Sequence, residues 1–458
     1  MTRETVVAIM GAQSGAAGMV AYLDSQTDYP NGYEELCSIT LDPKVMPPLD
    51  TSINVTAYGT AVREALATHP AIKYELTGIF GKALPDRSML KFLIKSRDAE
   101  QLRWEALCDA PARFMAVSDT CVISRVTPAK VGTGLRSFTY PLRMAAFLSA
   151  AGVKAAPEFE KIRGQVLAAK AAGLELECTV YLGEQALLDE IQKKIADADA
   201  AYNGIAVEPI PPTAVDIGKL LKSAPIQFLH FLCHGVERAG VQGLSLATIS
   251  DHDKNEINDN AAAASIFLSA DALSEGLALN TSIWMTVLNS CSGAEATKQL
   301  HSMALNVAMK GCPYTIGMAE PIMTDDASAF AEAFYGELFA IVRTSLAGGA
   351  AGAPLVLDLS PAVIPARKAL HDECHNRPDA FGRWLLPLLY QRIQQPLMVQ
   401  KIDPAMAAMA KRIQEIARTL KALPSDTPIE VRDQILAILD KEPAVPAELR
   451  PNRYGTFG

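Results

Sequence analysis

Nothing in these 458 residues approaches the run of about twenty apolar residues that a membrane helix requires, so no spanning helix is expected. The opening MTRETVVAIMGAQSGAAG carries one arginine, and its apolar run is too short and too broken by glycine for a signal peptide, which gives a cytoplasmic expectation. The eight cysteines include no CxxC pair and several lie in apolar, strand-like runs, so reduced thiols are expected, not a disulfide framework. With 42 Lys and Arg against 51 Asp and Glu the net charge is −9, and no basic cluster offsets it; direct nucleic-acid binding is not expected. The glycine-rich stretch Gly11 to Gly18 lacks the Lys-Ser/Thr ending that gives a phosphate loop its charge and metal ligand, and it reads as a strand-to-helix turn.

What is present is the composition of a folded protein, 49% hydrophobic and 20% charged, long enough for two or three domains. Leu142 to Ser149, Leu174 to Leu182, Ile226 to Cys233, Ile283 to Leu288 and Tyr314 to Met318 read as strands. Glu158 to Ala172, Glu184 to Ala201, Ala294 to Met309 and Ala327 to Arg343 read as helices between or after them. This alternation predicts an α/β fold with a mostly parallel sheet flanked by helices, whose ligands bind beyond the carboxyl ends of the strands.

Two segments carry chemistry. IQFLHFLCHG, from Ile226 to Gly235, and IWMTVLNSCSGA, from Ile283 to Ala294, are apolar runs of strand length, each ending in a reactive group and a small residue. The first delivers His234 and the second Cys291, 57 residues later (291 − 234). A thiol needs a base to be a good nucleophile at neutral pH, so the pair is a candidate cysteine-protease dyad. Gly235 removes the side chain that would keep a substrate carbonyl from the backbone N–H, and a helical pattern after Cys291 sets the thiol near a positive helix end. Cys233 is the internal rival, but strand alternation turns it away from the face of His234. His230, four residues before His234, shares its face and reads as a buried hydrogen-bonded support.

With these boxes the chain resembles the CHAT family, caspase-like proteases of the clan of caspases, metacaspases and separases. The resemblance extends from Leu102 to Tyr390. RWEALCD, Arg103 to Asp109, resembles the family's PWELLYD box with Arg103 in place of proline, and Phe114 to Val117 stands where the family has a short strand. Gly311 to Leu338 resembles its strand, loop and helix after the cysteine. ARKAL from Ala366 and WLLPLLY from Trp384 to Tyr390 resemble its closing helices. The resemblance implies a cysteine endopeptidase with His234 and Cys291 as the dyad and the backbone N–H groups of Gly235 and Cys291 as the oxyanion site. It implies no cofactor and a protein substrate, with gasdermin-like pore formers and CRISPR-associated partners as the family's examples, in bacterial defence or regulated cell death. A catalytically silent scaffold and a non-peptidase thiol amidase stay open as alternatives.

In metacaspases, which cut after Arg or Lys, an aspartate stands two before the nucleophile. Here that residue is Asn289, so a neutral pocket is expected, with Met285, Met318 and Met323 making it apolar and Glu320 as the one acid able to reverse this. No metal is expected. The acidic DHDKNEINDN, Asp251 to Asn260, lacks the glycine and glutamate of a calcium loop and reads as solvated loop, and His371, Cys374 and His375 lack a further clear ligand for zinc. Three regions are expected: 1–140, an α/β subdomain that by resemblance is a candidate degenerate caspase-like half; 141–395, catalytic; and 396–458, a helical extension offering a surface to a regulatory partner.

Overall fold

A computed structural model of the chain describes residues 3–11, 19–26, 28, 36–110, 113–127, 134–257, 264–290, 300–349, 352–374, 378–392, 396–424, 426–439 and 450–455. Cys291, most of the glycine-rich stretch after Gly11, the end of the acidic segment and His375 therefore lie outside the described residues.

The core is one fourteen-stranded sheet. Its strands are β1 (Arg3–Gly11), β2 (Met19–Leu23), β3 (Cys37–Ile39), β4 (Ser88–Ile94) and β5 (Cys121–Thr127). Next come β6 (Leu142–Leu148), β7 (Leu176–Leu182), β8 (Ile205–Pro209), β9 (Phe228–Arg238) and β10 (Val241–Leu246). The last are β11 (Ile266–Ser269), β12 (Met285–Ser290), β13 (Tyr314–Met318) and β14 (Pro387–Arg392). The order is β8-β7-β6-β9-β12-β13-β14-β5-β4-β1-β2-β3, with β10 and β11 leaving β9 as a hairpin extension. From β8 to β13 every pairing is parallel, as the alternating pattern predicts.

The helices that matter here are α1 (Ser52–Ala67), α2 (Ala156–Ala171), α3 (Ile249–Ile257), α4 (Thr324–Ala347), α5 (Val363–Cys374), α6 (Pro404–Ala422) and α7 (Ile429–Leu436). In α2 the residues Phe159, Ile162, Val166 and Ala169 recur at helical spacing and are all buried.

Two expectations are corrected among the segments that carry the resemblance. Trp384 to Tyr390 is not one helix: a 3₁₀ stretch ends at Leu385, and Pro387, unable to continue a helix, opens β14, whose six residues are all buried. That strand pairs antiparallel with β13 and parallel with β5, so it joins the strands before residue 140 to those after it. The boundary near residue 140 thus interrupts neither the sheet nor the core, since one apolar cluster contains Val7, Phe92, Phe147, Phe231 and Leu389. Likewise Phe114 ends a two-residue strand and Met115–Val117 is a 3₁₀ turn, where a short strand was expected.

The family boxes meet in a buried ionic cluster. Arg125 on β5 donates from Nε to Glu105 Oε1 at 3.0 Å and from Nη2 to Oε2 at 3.0 Å, a bidentate pair. Its Nη1 reaches Glu100 Oε1 at 3.1 Å, and the Tyr390 hydroxyl donates to the same oxygen. Arg367, from ARKAL, donates to the carbonyls of Ile123 and Pro387, and burial, opposed by Glu105, pulls its guanidinium down to about 10. Trp104 stacks on Phe92 with centroids 5.0 Å apart and donates to Ala99 O at 2.9 Å. These motifs lock the fold.

The extension begins later than expected. Leu397–Lys401 is the middle strand of a small sheet between Leu355–Leu357 and Leu135–Phe138, and Leu397 and Val399 are fully buried. Beyond it, Ile413, Ile416 and Leu420 of α6 form a separate cluster with Leu439, against which Ile435 and Leu436 of α7 pack. Ending the chain after Ile402 is expected to leave the core folded. Ending it at Pro396 removes both buried side chains, costs about 3–6 kcal/mol, and should give insoluble protein or a sharply lowered thermal midpoint.

Candidate active site

His234 stands where β9 changes partners. Up to Cys233 the strand pairs with β12, the last match being Cys233 with Ser290; from His234, opposite Ser245, it pairs with β10. The expected strand end at Cys233 is corrected, because the run continues to Arg238 as one arm of a hairpin. Gly235, opposite Leu244, is inside that arm. The polar residues after Gly235 hid the extension, since a strand that leaves the sheet for a hairpin no longer needs an apolar pattern on both faces.

The imidazole is buried, 6% exposed, and its Nε2 lies 2.7 Å from Ala151 O. A carbonyl only accepts, so Nε2 carries the proton and the neutral ring's lone pair is on Nδ1. The loop that supplies this carbonyl is itself fixed. Ser149 N donates to Leu232 O at 3.0 Å, Ala247 N donates to Ser149 O at 3.0 Å, and the Ser149 hydroxyl donates to Ala247 O. Gly183 packs so tightly here that a Cβ would come within 2.2 Å of Ser149 Oγ and 2.6 Å of Ala247 O.

The adjoining acidic segment is corrected as well. Its first part is helix α3, and Asp251 is buried, with its Oδ2 accepting from the N–H and hydroxyl of Thr248 and of Ser265 at 2.6–2.9 Å. Burial would raise this carboxyl, but the four donors hold it below its ordinary value. Asp251 therefore anchors the connection between β10 and β11.

Strand alternation separates the other candidates. Phe231 stacks on Phe147 on one face, which is also the face of the fully buried Cys233. His230 and Asn289 face α2 and α4. His230 Nδ1 is 2.9 Å from the Tyr335 hydroxyl, and Asn289 Nδ2 donates to Glu158 Oε1 at 2.6 Å. His230 is thus a buried support, as its spacing suggests.

Asn289 and Met318 are both fully enclosed, so neither presents a surface to a substrate side chain here; Asn289 turns inward because Glu158 accepts from its amide. Met285 is equally enclosed. Met323 is 45% exposed, just before α4, and Glu320 has its carboxylate 3.3 Å from Arg103, the residue that replaces the family's proline. That pairing offsets the one acid able to attract a basic substrate residue.

Sequence reasoning missed Glu158, Tyr335 and the Ala151 carbonyl. Glu158 was findable: with Ile162 four residues on, it occupies the buried stripe of α2, where an unpaired carboxylate is costly. The carbonyl has no sequence signature.

Among the described residues no three His, Cys, Asp or Glu side chains cluster as metal ligands, and the His371 ring sits against Phe114, Phe381 and Trp384. Among the described residues no helix is long and apolar enough to cross a membrane.

Comparison with known proteins agrees with the sequence boxes. No curated protein matches the chain. Two crystal structures of the Saccharomyces cerevisiae separase–securin complex are similar at 13% and 14% identity and a TM-score of 0.32. The matched part covers 73% of this chain and 17% of theirs, so the chain corresponds to a small fraction of those proteins. The model of the CHAT domain family matches residues 92–351, from β4 to just beyond α4, and includes the buried RWEALCD box, His234 and Cys291. That match spans more than half of the 458 residues, and the chain belongs to the CHAT domain family.

Proposed function

We propose that this chain is a cysteine endopeptidase in which Cys291 is the nucleophile and His234 the proton carrier. One observation carries the reading. The last parallel pair of β9 and β12 is Cys233 with Ser290, and the residues that follow these two in sequence are His234 and Cys291. The hydrogen bond to Ala151 supports it, because it puts the proton on Nε2 and so makes Nδ1 the basic nitrogen that would take a proton from the thiol.

In this mechanism the Cys291 proton passes to Nδ1 and the sulfur bonds to the scissile carbonyl carbon. The backbone N–H groups of Gly235 and Cys291 hold the oxyanion. The C–N bond then breaks as the imidazolium returns its proton to the leaving amine, and water, deprotonated by His234, releases the acyl group from sulfur. Thiolate and imidazole suffice, without cofactor or metal. Met323 and Glu320 form the candidate rim of the substrate site. The substrate is a protein, gasdermin-like or CRISPR-associated by analogy with the family, cut in the cytoplasm as part of bacterial defence, with α6 and α7 as the surface for a regulatory partner.

A peptide-library cleavage profile tests this reading. Cleavage after an uncharged residue, lost in Cys291→Ala, is the expected result. Turnover of small amides alone would favour the amidase, and no turnover together with an unreactive thiol would favour the scaffold. A strong Arg or Lys preference that disappears in Glu320→Gln would replace the neutral pocket with Glu320 as selector.

A further inference from the structure

Beneath His234 one carboxylate joins the two strands. Glu158, in the first turn of α2 and fully buried, accepts from Asn289 Nδ2 at 2.6 Å. The same Oε1 lies 2.8 Å from His230 Nε2, an electrostatic contact too bent to be a good hydrogen bond. On its other side the His230 ring meets the Tyr335 hydroxyl of α4 through Nδ1 at 2.9 Å. Asn289 also leans on the first turn of α4, its Nδ2 lying 3.4 Å from Ala327 O. Leu232 is opposite Asn289, so the carboxylate touches β9 two residues before that level and β12 at it. His234 is then about 7 Å above, two residues at the rise of a strand.

This arrangement is costly to maintain for packing alone. Glu158 Oε2 and Asn289 Oδ1 are buried acceptors with no donor among the described residues, and a buried unpartnered oxygen loses its hydration without compensation. An apolar contact between α2 and the sheet would avoid that cost. A short, directional contact is what fixes one strand against another when a small error in spacing slows a proton transfer between them.

We propose that Glu158 is a positioning residue: by holding Asn289 on β12 and His230 on β9 with one oxygen, it sets the separation of the two strand ends and hence of Cys291 from His234. The proposal rests on the dyad reading above. Tyr335 extends the hold to α4, so both helices that cover this face of the sheet have a grip on the site. The hydroxyl itself stays neutral, since burial and then the Glu158 charge push its ionisation well above the ordinary tyrosine range.

The test is the pH dependence of Cys291 alkylation by iodoacetamide in the full chain, resolved by mass spectrometry and read beside the thermal midpoint. A thiol paired with a base reacts well below its free pKa of about 8.5, so the wild-type midpoint should be lowered. Glu158→Leu keeps volume and removes the acceptor; it should return the midpoint upward by at least about one unit and slow labelling near pH 6.5 roughly tenfold. Glu158→Gln keeps an acceptor oxygen and should restore most of the wild-type profile. Val166→Ala, which empties space on the buried stripe of α2 away from the polar contacts, should lower stability and leave the profile unchanged.

If Glu158→Leu does not fold, Asn289→Ala cuts the same contact from the strand side and should produce the same upward shift. A folded Glu158→Leu or Asn289→Ala with the wild-type profile overturns the proposal. An ordinary thiol midpoint in the wild type overturns the dyad itself and the proposal with it, so the two failures are told apart by the unmodified protein. A shift in Val166→Ala equal to that in Glu158→Leu would reduce Glu158 to a structural role and also overturn it.

Discussion

Alanine at Cys291 or at His234 is expected to lower peptide-bond cleavage by about a thousandfold or more while the protein stays folded. The nucleophile and its proton carrier act as a unit, so either loss should cost nearly as much as both. Loss of the His234 hydrogen bond to Ala151 should cost about 1 kcal/mol, which for a chain this long moves the thermal midpoint by about 2 °C or less. Cys233→Ala provides the contrast. Cys233 lies on the Phe231 face of β9, so this variant should cleave at close to the wild-type rate. A folded but inactive Cys233→Ala would mean that the strand presents its side chains in the other register.

Among single substitutions the largest stability effect should come from Glu105→Gln. Arg125 and Glu105 are both buried and bonded through two parallel hydrogen bonds, and neutralising the acid leaves an enclosed guanidinium whose remaining carboxylate partner among the described residues is Glu100. Breaking one side of a buried pair typically costs about 3–5 kcal/mol, against about 0–1 kcal/mol for an exposed one. Burial alone would raise the Glu105 carboxyl, but Arg125 and, further off, Arg367 hold it below the ordinary range. A carboxyl depressed by folding stabilises the protein above its unfolded value of about 4.3, and that contribution disappears as pH falls through the lower, folded value. Urea unfolding should therefore show the Glu105→Gln deficit in full at neutral pH and a smaller deficit in acid. An unchanged midpoint at pH 7 would contradict the lock that this cluster forms.

The sequence was most legible where burial on both faces imposed an unbroken apolar run. β6, β7, β13 and the start of β9 lie within two residues of their expected positions, because strands enclosed by helices on both sides leave no room for polar residues. It was least legible where the chain leaves that environment. β10 and β11 are absent from the expected strands, since a hairpin at the rim satisfies its backbone through pairing that no local pattern announces. The helix expected at β14 rests on the resemblance of WLLPLLY to the family's closing helices, and a short apolar run does not reveal its own period; Pro387 is the usable signal.

At the site, residue type and order pointed to His234, and the structure adds what spacing alone could not: the carbonyl that sets its tautomer and the carboxylate beneath it. The pocket was the weaker part. The sequence suggests Asn289 for what its side chain can offer a substrate, whereas the structure directs that side chain to Glu158, a residue 131 positions away in the chain.

The most direct measurement is the identity of the residue modified by a tagged peptide carrying a reactive acyl electrophile, read by mass spectrometry at neutral pH. The account predicts a single adduct on Cys291 that depends on the peptide sequence and is strongly reduced in His234→Ala. An adduct on Cys233, or labelling of Cys291 that is indifferent both to the peptide and to His234, would contradict it.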